Sequence, residues 1–158
     1  MEELFAGRNI DIEESQAEMA KLMADEGLPF GERTRGFNSR LAQELAKWAE
    51  TQPNGKELMR GIYEAYFVDH RNISDVDVLM DVVGKCGLPM NEARSVLESR
   101  SFRDAVDRDW AEARAVGVTG VPAFATGRVG VMGAQPYAVL EQLVTQAGAK
   151  KRSDKSRQ

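Results

Sequence analysis

The chain has 158 residues but only one cysteine, Cys86, and one histidine, His70. A single cysteine cannot close an intrachain disulfide, nor supply a CxxC pair. One Cys and one His cannot build a structural zinc site, which takes four N or S ligands. A histidine-rich metal site is excluded as well, and no motif calls for a cofactor. There is no GxGxxG, no GxxxxGK[ST] and no HExxH. No apolar run approaches the ~18 residues that span a bilayer. The first residues, MEELFAGRNIDIEE, are acidic and lack the basic and apolar regions of a signal peptide. The expected location is therefore the cytoplasm, with no membrane partner. Positive charge gathers only in residues 149–158, AKKRSDKSRQ, which are net +4 and leave the rest of the chain at −8. A polar basic tail of this kind reads as a disordered end, so nucleic acid is not an expected partner. These absences leave a carboxylate metal site, single-residue chemistry, or binding.

What is present is an ordinary globular balance, 42% apolar and 29% charged. The length fits one domain, or one domain carrying an inserted subdomain. Apolar spacing of three, four and seven residues predicts six helices before residue 117. The first covers residues 11–26, with Ile12, Met19, Leu22 and Met23 on one face, and stops at Gly27. A polar connection over residues 31–38 follows. Asn38 or Ser39 caps the second helix, whose stripe is Leu41, Leu45 and Trp48. Gln52-Pro53-Asn54-Gly55 reads as a turn. The third helix carries Leu58, Ile62, Ala65 and Tyr66 inward and ends near His70. Ser74 opens the fourth, with Asp77 completing a weak capping box. Its stripe is Leu79, Val82, Val83 and Cys86, and Gly87 ends it. A short fifth helix over residues 91–98 presents Ala93, Val96 and Leu97. Ser101 caps the sixth, with Phe102, Val106, Trp110 and Ala113 inward, and Gly117 ends it.

The pattern then changes to short β-prone runs. Residues 118–126 and 129–132 read as a hairpin joined by Gly127-Arg128. Pro136 suits the first turn of a last helix, whose inner face is Tyr137, Leu140, Leu143 and Val144. Helices first and strands last predict an α+β fold that is predominantly helical.

Few residues invite a chemical role. Cys86 lies at the C-terminal end of its helix, where the dipole disfavours a thiolate, and shares a stripe with Leu79, Val82 and Val83. It reads as a core cysteine. His70 reads as a helix-end residue interacting with terminal carbonyls. Trp48, Tyr63, Tyr66, Phe67 and Trp110 read as core or subdomain interface rather than a ligand pocket. Glu2-Glu3 and Glu13-Glu14 are adjacent in sequence, and read as solvated.

Residues 117–144, GVTGVPAFATGRVGVMGAQPYAVLEQLV, carry a resemblance. Gly117-Val118-Thr119-Gly120-Val121-Pro122-Ala123-Phe124, with Gly133-Ala134-Gln135-Pro136 after a hairpin, is similar to the end of the DsbA-like thioredoxin-fold family. The nearest branch is the FrnE type, related to the 2-hydroxychromene-2-carboxylate isomerases. Upstream text fits too: EGLPF at residues 26–30, AYF and RNISD at 65–67 and 71–75, and EARSVLES at 92–99. Met132 stands where a small residue is usual in that family. The resemblance implies that residues 1–37 and 116–148 are the remnant of a thioredoxin fold. Residues 38–115 are then a helical insertion subdomain, and 149–158 a basic tail.

The same resemblance implies thiol-disulfide exchange, but the family's β-α-β unit with its CxxC has no counterpart in this sequence. A βαβ unit takes roughly 30 residues or more. Exchange needs an attacking thiolate and a second thiol that resolves the mixed disulfide. The expected protein is thus an oxidoreductase relative that is catalytically incomplete as this chain, with no catalytic residue assigned. An upstream CxxC segment would change that expectation. In the family the bond before the proline is cis and the preceding residue pairs with substrate backbone. Carried over, this gives a substrate groove at Thr119, Gly120, Val121 and Pro122, for an extended peptide or protein thiol. The alternatives are a non-catalytic peptide-binding or dimerisation module, or a glutathione-dependent isomerase relative. The strand before the hairpin turn lacks a neighbour on one side, so its edge is expected to pair with a second copy in a homodimer.

Overall fold

A computed structural model describes residues 12–31, 35–127 and 129–151. The elements are α1 (Ile12–Asp25), α2 (Arg40–Ala49), α3 (Gly55–Phe67), α4 (Val76–Lys85), α5 (Met90–Ser99), α6 (Arg103–Ala115), β1 (Ala123–Thr126), β2 (Val129–Met132) and α7 (Tyr137–Gln146). The chain divides after Asp107 into two compact units, 1–107 and 108–158. Expectations for Glu2-Glu3, Arg128 and the tail beyond Lys151 fall outside the described residues.

The core of the first unit is built by α2 to α5. Leu45, Trp48, Leu58, Ile62, Leu79, Val83, Ala93 and Leu97 are all buried in one cluster. These are the positions that helical spacing placed inward. Met80 and Leu88 join them from outside the expected stripes. Close packing at the α2–α3 turn requires Gly55: a Cβ there would lie 1.6 Å from the Ala49 carbonyl oxygen. That overlap explains why the turn ends in a glycine.

Several local expectations shift. Asp75, not Ser74, caps α4, its side chain accepting from Asp77 N–H at 2.9 Å. Asp75 has the extended backbone an N-cap needs, while the Ser74 hydroxyl bonds the Asn72 side chain. At α2, Ser39 holds the N-cap position with no side-chain cap bond, and Asn38 Oδ1 accepts from Arg40 N–H at 2.8 Å.

Three expected inner faces are covered only in part, with Val106 on α6 and Leu143 on α7 buried as expected. On α1, Met19 and Leu22 are 46% and 48% exposed. Spacing marks a face able to pack, but no described neighbour covers these two side chains. Trp110 on α6 is exposed, as are Tyr137 and Val144 on α7, where Leu143 alone is buried. Helix periodicity locates a stripe; only a neighbour removes it from water.

In the second unit β1 and β2 pair antiparallel, with Ala123 opposite Met132, Phe124 opposite Val131, Ala125 opposite Gly130 and Thr126 opposite Val129. This is a two-stranded sheet, packed on α7 through β1. Helices dominate and the strands come late, as the α+β reading requires.

Candidate functional site

The four residues assigned to a groove lie together at the head of β1. After α6, Gly117 takes φ +80, and Val118 N–H donates to Ala113 O at 2.9 Å, closing the helix end. The chain then runs through Thr119, Gly120, Val121 and Pro122, all exposed, Val121 at 87%. The Val121–Pro122 peptide bond is cis. Pro122 O accepts from Gly133 N–H at 2.8 Å, anchoring the run to the end of β2. Thr119 Oγ1 lies 3.5 Å from Met132 Sδ. Gln135 Nε2 donates to Met132 O at 2.7 Å, tying the lead into α7 to the same point. The groove reading named Thr119, Gly120, Val121 and Pro122 but left out Met132 and Gln135. Gln135 was signalled by the Gly133-Ala134-Gln135-Pro136 run, in which Gly133 N–H holds Pro122 O and Gln135 holds Met132 O. Met132 was marked only as a departure from the usual small residue.

The geometry offers backbone groups rather than reactive ones. No ionisable side chain occurs between Val116 and Gly127. The Pro122–Gly133 bond sets the alternation along the hairpin: Phe124 and Thr126 point their N–H and C=O at β2, while Ala123 and Ala125 point theirs away. No described residue bonds those outward groups.

Cys86 lies elsewhere, in the first unit. It is the C-cap of α4 and half-buried. Its sulfur approaches Gly61, where a Cβ would sit 3.4 Å away. Burial pushes the thiol pKa up, and the nearby Glu57 carboxylate pushes it further. The residue is thus a weak nucleophile at neutral pH. It lines a cleft of about 480 Å³ together with Glu57, Arg60, Gly61, Asp69 and Lys85.

His70 departs from its expected role. It has φ +55, and its buried Nδ1 has no partner among the described residues. The carbonyls at the end of α3 are taken by backbone instead. Val68 and Asp69 N–H donate to Glu64 O, Arg71 N–H to Ala65 O, and Gly31 N–H to Phe67 O. The imidazole packs over Gly31, where a Cβ would meet Nε2 at 2.0 Å. Of the aromatics, Trp48 is core. Tyr66 packs edge-on to Phe67 with ring centres 4.8 Å apart, and Tyr63, whose ring lies 6.0 Å from that of Phe67, is 56% exposed.

One charged cluster was invisible in the sequence. Glu44 is 1% exposed and is held by Arg40 and Arg100. The Arg100 guanidinium, more than the opposing cost of burial and then Arg40, holds this carboxyl below its usual range. Arg40 also reaches Asp107 and the Arg103 carbonyl. The cluster joins α2 to the α5–α6 connection and has no free acid or base to offer a substrate. Among the described residues no group of three His, Cys, Asp or Glu could hold a metal ion. Nor is any described helix long and apolar enough to cross a membrane.

Known proteins bear on this geometry. YwbO, an uncharacterized protein of Bacillus subtilis (strain 168), is 30% identical over 115 residues, covering 70% of this chain and 56% of that protein. The chain thus spans just over half the length of that relative. A crystal structure of a probable DsbA oxidoreductase from Streptomyces coelicolor is 32% identical and superposes with a TM-score of 0.80. The match takes in 97% of this chain and 69% of the other. The family model described as DSBA-like thioredoxin domain matches residues 5–145, which include the Thr119–Pro122 loop, the hairpin and nearly all of α7. The chain belongs to the DSBA-like thioredoxin domain family.

Proposed function

We propose that this chain presents the substrate-facing proline loop of a FrnE-type thiol-disulfide oxidoreductase and that, by itself, it binds extended peptide without exchanging disulfides. The observation that carries the reading is the exposed Thr119–Pro122 run, braced from behind by Met132, Gly133 and Gln135. It offers backbone to an incoming strand in the manner of β-augmentation. In this reading residues 38–115 are an insertion that supports the fold, and residues 1–37 and 116–148 belong to the thioredoxin part.

The chemistry of the one thiol favours binding over exchange. Cys86 has no second cysteine in this chain to resolve a mixed disulfide, and its raised pKa keeps it protonated. The test has two arms. With dithiothreitol, the chain should not accelerate insulin precipitation above the reductant alone. Calorimetry with an extended, cysteine-containing peptide should show binding that weakens about tenfold in Pro122→Ala, a loss of ~1.4 kcal/mol. Turnover by this chain would refute the incompleteness. Peptide affinity indifferent to Pro122 would refute the groove.

A further inference from the structure

Among the described residues four methionines are exposed: Met19, Met59, Met90 and Met132, between 39% and 48%. Exposure alone does not distinguish them. Met132, the last residue of β2, is the one whose sulfur has a hydroxyl donor among the described residues, Thr119 Oγ1 at 3.5 Å. Its backbone position is also singular. Gln135 Nε2 donates to the Met132 carbonyl, and the next residue, Gly133, donates its N–H to Pro122 O. The thioether thus stands where the proline loop, β2 and the lead into α7 are tied together.

We propose that Met132 is an oxidation site whose sulfoxide locks the Thr119–Pro122 loop onto the hairpin. The oxidant is a peroxide. A sulfur lone pair attacks one oxygen of hydrogen peroxide, so an S–O bond forms as the O–O bond breaks. The departing hydroxide takes the proton from the new S–OH group and leaves as water. Sulfur gives up an electron pair and becomes the sulfoxide, while the peroxide is reduced.

A thioether sulfur is a weak hydrogen-bond acceptor, whereas the sulfoxide is polar and chiral. Its oxygen projects one bond beyond Sδ. From there it can accept from Thr119 Oγ1 at the ~2.7–2.8 Å of an O–H···O bond. A weak contact becomes a strong one, beside the Pro122–Gly133 bond that already holds the loop. Met19, Met59 and Met90 lie on helices with no such donor among the described residues, so their oxidation has no loop to hold. The lock acts on the loop whether or not a peptide binds there. Enzymes that reduce methionine sulfoxide restore the thioether, which makes the change reversible.

Amide exchange at Gly133, followed by NMR, reads how often the Pro122–Gly133 bond opens. After dilute hydrogen peroxide, peptide mass spectrometry should find Met132 oxidised. Exchange at Gly133 should then slow about fivefold, the worth of one added hydrogen bond. The two epimer-specific sulfoxide reductases should restore the original rate. Thr119→Ser, which keeps the hydroxyl, should retain the slowing. Thr119→Val should lose it, although Met132 still oxidises. In Met132→Leu, peroxide should leave Gly133 exchange unchanged, which removes Cys86 and the other methionines as causes. A Met132 that stays reduced while Met19, Met59 and Met90 convert overturns the proposal. So does exchange that is unchanged or faster in the oxidised wild type, or a slowing that persists in Thr119→Val or Met132→Leu.

Discussion

The Arg100 guanidinium grips the Glu44 carboxylate with two hydrogen bonds of 2.7 Å, Nε to Oε2 and Nη2 to Oε1. The residues are 56 positions apart, and the paired geometry lets a carboxylate that is 1% exposed stay ionised inside the α2–α5 core. Arg100 itself sits at φ +56 just after α5, a backbone state costly for a side chain with a Cβ. The bond to Glu44 is what that conformation places in reach.

Removing the charge should therefore be expensive. Glu44→Gln leaves two arginines facing a neutral amide in a buried site. Because Arg100 remains partly open to water, the expected loss is about 2–3 kcal/mol, somewhat less than for breaking a fully buried pair. Urea unfolding followed by helical circular dichroism measures it. A loss under ~0.5 kcal/mol would place the pair among ordinary surface bridges.

The same pair sets a pH dependence. Glu44 titrates lower in the folded chain than in the unfolded one, chiefly through Arg100. Its contribution is thus whole above the unfolded value of about 4.3 and fades as pH falls through the lowered native value. Asp81, lowered by Arg71 and then Lys85, acts in the same direction, but is exposed and screened. The stability gap between wild type and Glu44→Gln should stay constant above about pH 5 and shrink as the solution is acidified toward pH 3. A gap that widens in acid would contradict the assignment.

Two glycines in facing helices should respond to alanine with opposite signs. At Gly61 in α3 a Cβ would come within 2.8 Å of Val82 Cγ1, a buried branched methyl that cannot swing aside. At Gly84 in α4 the nearest atom is Met90 Sδ at 3.5 Å, an ordinary contact. Gly61→Ala should cost about 1–2 kcal/mol after its helix-propensity gain is counted. Gly84→Ala should stabilise by roughly 0.5–1 kcal/mol. Thermal melting of both variants decides, and like signs would mean that propensity or packing alone governs this helix pair.

The cap of α4 offers a local comparison. Asp75→Ala removes the side chain that accepts from Asp77 N–H and should cost about 1 kcal/mol. Ser74→Ala loses only a hydroxyl bonded to Asn72 and should cost less than half as much. Equal losses would return the cap to Ser74.

Much of this was legible in the residues themselves. The apolar rows Leu45-Trp48, Leu58-Ile62-Ala65, Leu79-Val82-Val83 and Ala93-Val96-Leu97 are local patterns, and each was expected inward and is buried. The helix stops at Gly87 and Gly117, both at positive φ, follow from glycine's freedom to turn left-handed. The family text around Pro122 marked the loop that carries the candidate site.

Other features depended on what lies opposite. Glu44 looks like any polar helix residue until Arg40 and Arg100 converge on it from 4 and 56 positions away. Met19, Leu22 and Trp110 carry the spacing of a buried face, yet remain exposed. Ser74 and Asp75 are both competent caps by type, and the backbone angle at Asp75 chose between them. The outward direction of Ala123 and Ala125 rests on the hairpin register, which one residue of slip would reverse. By itself, the sequence determined the helices, most of their inner rows, the family, and that a single thiol is present. Tertiary structure alone decided which rows are covered, which charges are buried in pairs, and which backbone groups of β1 face β2. Periodicity and propensity act over a few neighbouring residues, whereas burial and pairing are made by groups far apart in the chain.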